Sequence, residues 1–179
     1  MPKVKFAHAP SAKGLAGEIF VYPPLVESFD PNDFFRPHET LALGKGFKSL
    51  ILSKARPVER LDEVIGHRFV TQDASTLNPV LIRQLPSGYA FDESEGCARI
   101  AQLLLPQLRG QEGRLLIVRN NEQAIPDGNL FYLSGLVVGV CWVDRVYGWS
   151  SPRDRYWWID AWDATEQNWP PQVLFYSPV

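Results

Sequence analysis

Short apolar runs between turn-forming residues make up most of this chain, and they predict a β-sheet with few helices. The runs are bounded by glycine, proline and charged residues, which favours extended segments over helices. The predicted strands are residues 19–22, 47–52, 67–70, 80–85, 115–118, 130–146, 156–159 and 173–176.

The segment 130–146 is the longest apolar stretch, and a bend at Ser134-Gly135 would divide it into two strands. Both of its alternating faces are apolar, which predicts a central strand covered on both sides. Gly139 within it indicates a bulge, a barrel corner or a close backbone approach. In the run 156–159, strand alternation places Tyr156 and Trp158 on one face, opposite Trp157 and Ile159.

Two segments have helical periodicity. In residues 57–65 apolar side chains recur every three to four positions, with Gly66 placed to end the helix. Residues 92–105 give the clearest helix, with Asp92 or Ser94 as the N-cap and an apolar face along one side. Pro106 is expected to limit its continuation.

The first forty residues look irregular, so we expect residues 1–40 to be an N-terminal wrapping segment and residues 41–179 to be a single α+β domain. Phe29, Phe34 and Phe35 would pack onto that domain or be offered to a partner, and packing is favoured because clustered exposed aromatics are uncommon. Gly44-Lys45-Gly46 lacks the remainder of a phosphate-loop pattern and predicts a tight turn before the strand 47–52.

Composition narrows the class of protein. The 179 residues are 45% hydrophobic and 21% charged, which is typical of a globular domain. A net charge of −2 and a pI near 5.9 argue against non-specific duplex binding through many phosphates. Two cysteines, Cys97 and Cys141, make neither a disulfide framework nor a metal-ligand spacing. We expect no metal, no cofactor, no membrane span and no signal peptide, and therefore a soluble cytoplasmic protein.

A family resemblance rests on two glycine-rich apolar segments. Gly113-Arg114-Leu115-Leu116-Ile117, followed by the glycine-rich run from Gly135 to Asp144, resembles the ASCH and EVE branches of the PUA-like superfamily, which also carry an aromatic strand near 156–158. The resemblance covers roughly residues 110–162. It implies a small, partly open β-barrel with flanking helices that binds RNA or a modified nucleobase. The chain lacks the G-x-K-x-x-E-x-R segment of ASCH domains, because Gly46-Phe47-Lys48 has no acid and arginine in register after it.

These observations predict an α+β fold: a small mixed or antiparallel, barrel-like sheet with two or three flanking helices. All six tryptophans lie between positions 142 and 169, beside several arginines. Flat aromatic rings stack on bases and arginines pair with phosphates, so this stretch is the candidate binding surface for RNA, single-stranded DNA or a nucleobase. The candidate residues are Tyr147, Trp149, Trp157, Arg145, Arg153 and Arg155.

Alternatives stay open at this point. Trp142, Trp157 and Trp158 could instead be core residues, which leaves the loop residue Trp149 as the best ligand-facing aromatic. An immunity or antitoxin-like protein would use the same aromatic and arginine residues to contact a protein partner. A small nucleoside hydrolase would need a pair among Asp144, Asp154, Asp160 and Asp163, but no catalytic motif is present and an enzyme is disfavoured. The oligomeric state is open.

Overall fold

The computed structural model describes residues 15–71, 90–113, 115, 129–146, 153–163 and 174–178. Within them, residues 15–20, 67–71, 144–146, 153–154 and 174–178 are described by their backbone alone. The strands are β1 (Leu15–Tyr22), β2 (Leu41–Leu43), β3 (Val64–Thr71), β4 (Asn129–Leu133), β5 (Leu136–Val146), β6 (Arg153–Asp163) and β7 (Leu174–Pro178). The helices are α1 (Pro31–Phe34), α2 (Phe47–Leu52, a π-helix) and α3 (Glu93–Leu108).

All seven described strands belong to one mixed sheet, in the order β1-β3-β7-β4-β5-β6-β2. Neighbouring strands in this sheet are antiparallel except for two parallel pairs, β4 with β7 and β2 with β6. Strands β1 and β2 are the two edges, so the described strands form an open sheet. The predicted α+β class is confirmed: the described residues form one long helix and two short ones beside a mixed sheet.

The β4–β5 hairpin divides the predicted segment 130–146 where the sequence indicated. Ser134 and Gly135 both have positive φ values, 47° and 84°, which is the backbone of a type I′ hairpin turn. Strand β5 pairs with β4 on one side and β6 on the other, so its predicted central position is confirmed. Gly139 pairs in uninterrupted register with Leu130 and Asp160, so it forms no bulge.

Helix α3 covers one face of the sheet, and its prediction is confirmed. The Asp92 carboxylate accepts the N–H of Glu95 at 2.8 Å and so caps the first turn. Buried Cys97, Ile100 and Leu104 form the apolar face that packs into the core. Pro106 does not end the helix, which continues to Leu108. Pro106 lacks the N–H that would bond the carbonyl of Gln102, and the helix nevertheless extends two residues beyond it.

Two predictions from local pattern are wrong. Residues 47–52 form α2 rather than a strand; the N–H of Ser53 bonds the carbonyl of Lys48, five residues back, at 3.1 Å. Residues 57–65 do not form a helix. Val58 and Leu61 instead make backbone bridges to Phe29 and Leu25, and β3 begins at Val64. Gly66 therefore lies inside β3 and not at a helix end.

The aromatic residues of the N-terminal segment connect it to the core. Phe35, 2% exposed, packs edge-on against Phe34 at 4.9 Å and against Phe47 at 5.1 Å, measured between ring centroids. Phe29 contacts Phe34 at 5.7 Å. Edge-to-face contacts of this kind stabilise beyond simple area burial, so these rings fix the segment to α2. Strand β1 shows that this part of the chain is not irregular throughout.

Arg99 joins helix α3 to the two segments that flank strands β1 and β3. Its guanidinium is fully buried and donates to the carbonyl oxygens of Pro23 and Asp62, each at 2.7 Å. It also pairs with the Glu95 carboxylate at 3.1 Å and lies over the ring of Tyr22, 5.7 Å from its centroid. A buried charge is tolerated only when it is paired and hydrogen-bonded, and these contacts meet that condition.

Candidate functional site

Strand β6 presents its aromatic residues on two different faces. Trp157, Ile159 and Ala161 point into the core and are at most 4% exposed. Tyr156, Trp158, Asp160 and Trp162 alternate with them and are partly exposed. Because successive side chains of a strand point to opposite sides, these four share one surface. We call this surface the Trp158 face, and the predicted alternation of Tyr156 and Trp158 against Trp157 and Ile159 is confirmed.

Two indole rings meet on the Trp158 face. The ring centroids of Trp158 and Trp162 are 5.7 Å apart with an interplanar angle of 73°, an edge-to-face pair. Asp160 lies between them in sequence and on the same face. Across the sheet its partner is Gly139, whose lack of a side chain leaves room beside the carboxylate. The face thus combines two partly exposed indoles with one carboxylate.

The segment Gly44–Gly46 lies against the Asp160 carboxylate. Asp160 Oδ1 accepts the N–H of Phe47 at 3.0 Å and that of Ala161 at 2.9 Å. A Cβ on Gly44 would lie 2.0 Å from Asp160 Cγ, and one on Gly46 would lie 2.1 Å from the carbonyl oxygen of Ala161. Only glycine fits at either position. Exposed Lys45 lies between them in the sequence.

This geometry also explains why the Gly-Lys-Gly segment is not a phosphate loop. In such loops backbone N–H groups at the start of a helix bind the anion. Here the N–H of Phe47, at the start of α2, already bonds a carboxylate from β6. The tight turn predicted at these residues is wrong, because Lys45 and Gly46 are already helical and lead directly into α2, and the anion at the start of this helix is the Asp160 carboxylate.

The residues predicted as a site fall in different places. Trp157 is 1% exposed and packs against Trp142 at 5.5 Å between ring centroids, so it belongs to the core and not to a ligand surface. Arg155 is exposed and pairs by its backbone with Asp144. Arg145 and Arg153 pair by their backbones with Asp154 and Val146. Tyr147 and Trp149 lie outside the described residues, as do the predicted strand 80–85 and most of 115–118.

Sequence reasoning did not select Trp158, Trp162 or Lys45 as binding residues. The alternation of residues 156–162 does carry a signal for the tryptophans, since every second residue from Tyr156 to Trp162 is aromatic or acidic. No sequence signal places Lys45 near this strand, because the contact between α2 and β6 joins Phe47 to Asp160 across 113 positions of the chain.

Two kinds of chemistry can be checked in the described residues: metal binding and attack by a cysteine thiolate. They contain no group of three or more histidine, cysteine or acidic side chains that could hold a metal ion. Burial, together with the smaller effect of the carboxylates of Asp92 and Glu93, raises the pKa of the Cys97 thiol from 9.0 to about 12. A thiol with so high a pKa is a poor nucleophile, and Cys97 is a core residue. Cys141, 5% exposed, is also part of the buried interior, as predicted.

Comparison of the chain with protein-family models, with curated proteins and with solved structures gives no match. In the described parts of the chain, no helix is long and apolar enough to cross a membrane.

Proposed function

We propose that this protein is a non-catalytic recognition module that binds a nucleobase or a short single strand of nucleic acid on the Trp158 face. The observation that carries the proposal is the Trp158–Trp162 pair, whose partly exposed rings lie 5.7 Å apart on one surface. A base can stack on an indole whatever its sequence, because every base has an aromatic face. The PUA-like resemblance, which implies binding of RNA or a modified base, points in the same direction.

Cations at the borders of the face would contact the rest of the ligand. Exposed Lys45 lies between Gly44 and Gly46, the two glycines next to Asp160 and Ala161, and exposed Arg155 precedes the aromatic positions of β6. The predicted residues Tyr147, Trp149, Arg145 and Arg153 belong to the same stretch of sequence and would extend this surface. With a net charge of −2, the protein is suited to few phosphate contacts, and we expect a weak dependence of binding on salt.

Asp160 favours recognition over catalysis. Its Oδ1 atom holds two backbone N–H groups, and this use of the carboxylate is structural. The hydrolase alternative would need this acid, or its neighbours, to transfer protons.

Tryptophan fluorescence tests the proposal, because all six tryptophans lie between positions 142 and 169. Short single-stranded RNA, single-stranded DNA and free nucleosides are titrated into the wild type and into Trp158→Ala, Trp162→Ala and Trp149→Ala. We expect saturable quenching of the wild type. Trp158→Ala and Trp162→Ala should each lower the affinity by about tenfold or more, in line with about 1–3 kcal/mol per stacked base. Trp158→Phe retains a flat ring and should keep part of the affinity.

Circular dichroism checks that each variant is folded. Leu50→Ala, at an exposed apolar position on α2, serves as the surface control and should bind like the wild type. Quenching lost only in Trp149→Ala would place the site in the 147–152 segment instead of the Trp158 face. Absence of quenching by every RNA, DNA and nucleoside with the folded wild type would contradict the proposal.

A second candidate, binding of a protein partner by an immunity or antitoxin-like protein, is favoured by a different observation. Val21 and Ile65 pair across β1 and β3 and are 40% and 53% exposed, next to the edge of the sheet. Exposed apolar residues beside an edge strand are a common element of protein interfaces. A folded protein that fails every nucleic-acid titration would make this the leading hypothesis.

A further inference from the structure

A cleft of about 410 Å³ lies between the end of β1 and the C-terminal half of α3. Its volume falls within the roughly 300–1,000 Å³ typical of small-molecule sites. The cleft lies at the β1 side of the molecule, whereas the Trp158 face lies on β6, next to the opposite edge strand β2. It is therefore a separate feature from the surface proposed above.

The walls of the cleft are mostly apolar. Val21 and Pro23 come from the end of β1 and the residue after it, and Leu103 and Pro106 come from α3. The two prolines have no backbone N–H to offer, so the apolar part of the cleft favours a hydrocarbon or aromatic group over a polar one.

Two carboxylates also line the cleft, and both are exposed. Glu63 precedes β3 and Glu112 follows α3, so they reach the cleft from separate segments. No ion pair involves either of them within the described parts of the chain. The neighbouring guanidinium of Arg99 does not neutralise them, because it is fully buried and pairs with Glu95 at 3.1 Å.

The rim of the cleft is held in place before any ligand arrives. The Pro23 carbonyl oxygen accepts hydrogen bonds from Arg99 at 2.7 Å and from the amide of Gln102 at 3.0 Å. Gln102, which also lines the cleft, donates to the carbonyl of Pro24 at 3.3 Å. A rim fixed by internal hydrogen bonds lowers the entropic cost of binding.

We propose that this cleft binds a small organic cation, an amine or amidinium that carries an apolar body. The apolar body would occupy the wall formed by Val21, Leu103 and Pro106, and the cationic group would lie between Glu63 and Glu112. The two carboxylates supply the charge complementarity that selects a cation over a neutral or anionic molecule of the same shape.

The test compares three probes of similar size and different charge. Phenethylamine is the cation, 2-phenylethanol the neutral analogue and 3-phenylpropionate the anion, and binding is followed by saturation-transfer NMR and by calorimetry. Benzamidine and butylamine extend the cation series. We expect saturable binding of phenethylamine, weaker binding of 2-phenylethanol and no binding of 3-phenylpropionate.

Substitutions that remove charge without changing shape assign the site. Glu63→Gln and Glu112→Gln should each weaken phenethylamine binding by about two- to fivefold, as expected for one exposed ion pair, and together by about tenfold. Glu39→Gln is the matched control, because Glu39 is exposed and precedes β2, at the other edge of the sheet. Since both cleft glutamates are exposed, their variants should keep the wild-type unfolding temperature.

Three results would overturn the inference: no binding of any of the three cations at millimolar concentration, equal affinity for phenethylamine and 2-phenylethanol, or unchanged binding in the double glutamine variant. None of these results bears on the Trp158 face, whose nucleoside titrations should be the same in the glutamine variants and in the wild type. The two proposals can therefore fail independently.

Discussion

The carboxylate of Asp160 accepts the backbone N–H of Phe47 at 3.0 Å, although the two residues are 113 positions apart. This contact joins the start of α2 to strand β6. It also explains why residues 44–46 need two glycines, since the chain must pass directly over the carboxylate.

Asp160→Ala should destabilise the protein by about 1–3 kcal/mol, because the N–H groups of Phe47 and Ala161 lose their acceptor. Asp160→Asn keeps one acceptor oxygen and should cost less. Urea unfolding followed by circular dichroism gives both values. Equal stability of Asp160→Ala and the wild type would contradict a structural role for this carboxylate.

Gly44→Ala should also destabilise the protein, because its Cβ would lie 2.0 Å from Asp160 Cγ. The three atoms nearest to that Cβ all belong to the Asp160 side chain, so the cost should fall when Gly44→Ala is combined with Asp160→Ala. Gly46→Ala is the matched control. Its Cβ would meet the backbone oxygen of Ala161 at 2.1 Å, and Asp160→Ala should give it no comparable relief. Additive costs in the Gly44 double mutant would refute the proposed clash.

Arg99→Ala should be among the most damaging single substitutions, at about 3–5 kcal/mol, because it removes a fully buried guanidinium that donates to the carbonyls of Pro23 and Asp62 and pairs with Glu95. Arg99→Lys should recover little of this loss, since one ammonium cannot reproduce the planar guanidinium that reaches Pro23 and Asp62 together. Chemical denaturation gives the free energies of unfolding. Arg36→Ala, which breaks an exposed ion pair with Asp33, is the control and should change stability by about 0.5 kcal/mol or less.

Protein stability should fall above pH 9 because of Cys97. The unfolded thiol loses its proton near 9.0, whereas the folded thiol has a pKa of about 12 and keeps it. The stabilising contribution is therefore complete below pH 9 and is lost as the pH rises from 9 towards 12, by about 1.4 kcal/mol per pH unit. Cys97→Ala lacks this group, so the difference in stability between the two proteins should shift in favour of the variant above pH 9. A difference independent of pH up to about pH 10.5 would show that the thiol does not titrate as described.

Ser134→Asn should stabilise the β4–β5 hairpin by a few tenths of a kcal/mol up to about 1 kcal/mol. Ser134 has a φ of 47°, and asparagine tolerates this left-handed backbone better than serine. Gly135→Ala, at a φ of 84°, should cost about 1–2 kcal/mol. Thermal unfolding measures both, and a loss of stability in Ser134→Asn would contradict the turn assignment.

The sequence predicts those elements whose cause is local. Helix α3 has its own N-cap in Asp92 and its own apolar face, and the β4–β5 hairpin has a turn at Ser134-Gly135 that favours positive φ. Residues 47–52 are different. Their apolar composition resembles a strand, and the contact that accompanies helix formation there comes from Asp160 on a distant strand.

At the candidate site, too, the local pattern of residues is not enough to predict the structure. The alternation of residues 156–162 separates Trp157 from Trp158, but it does not say which of the two faces is the more deeply buried. That depends on α3 and on the aromatic residues of the N-terminal segment, which pack against the Trp157 side. The three-residue spacing of Val58 and Leu61 predicted a helix for a similar reason. In the structure Val58 instead pairs by its backbone with Phe29, and Leu61 with Leu25.

The position of β7 in the sheet affects how the protein folds during its synthesis. Strands β1 and β3 form one ribbon, and β4, β5, β6 and β2 form another group; among the described strands only β7 hydrogen-bonds to both. Residues 174–178 therefore connect two parts of the sheet that are both synthesised before them. Until these residues emerge, the nascent chain has two incomplete sheets with unpaired edges. Unpaired edges are prone to aggregation, and such a chain is a substrate for chaperones.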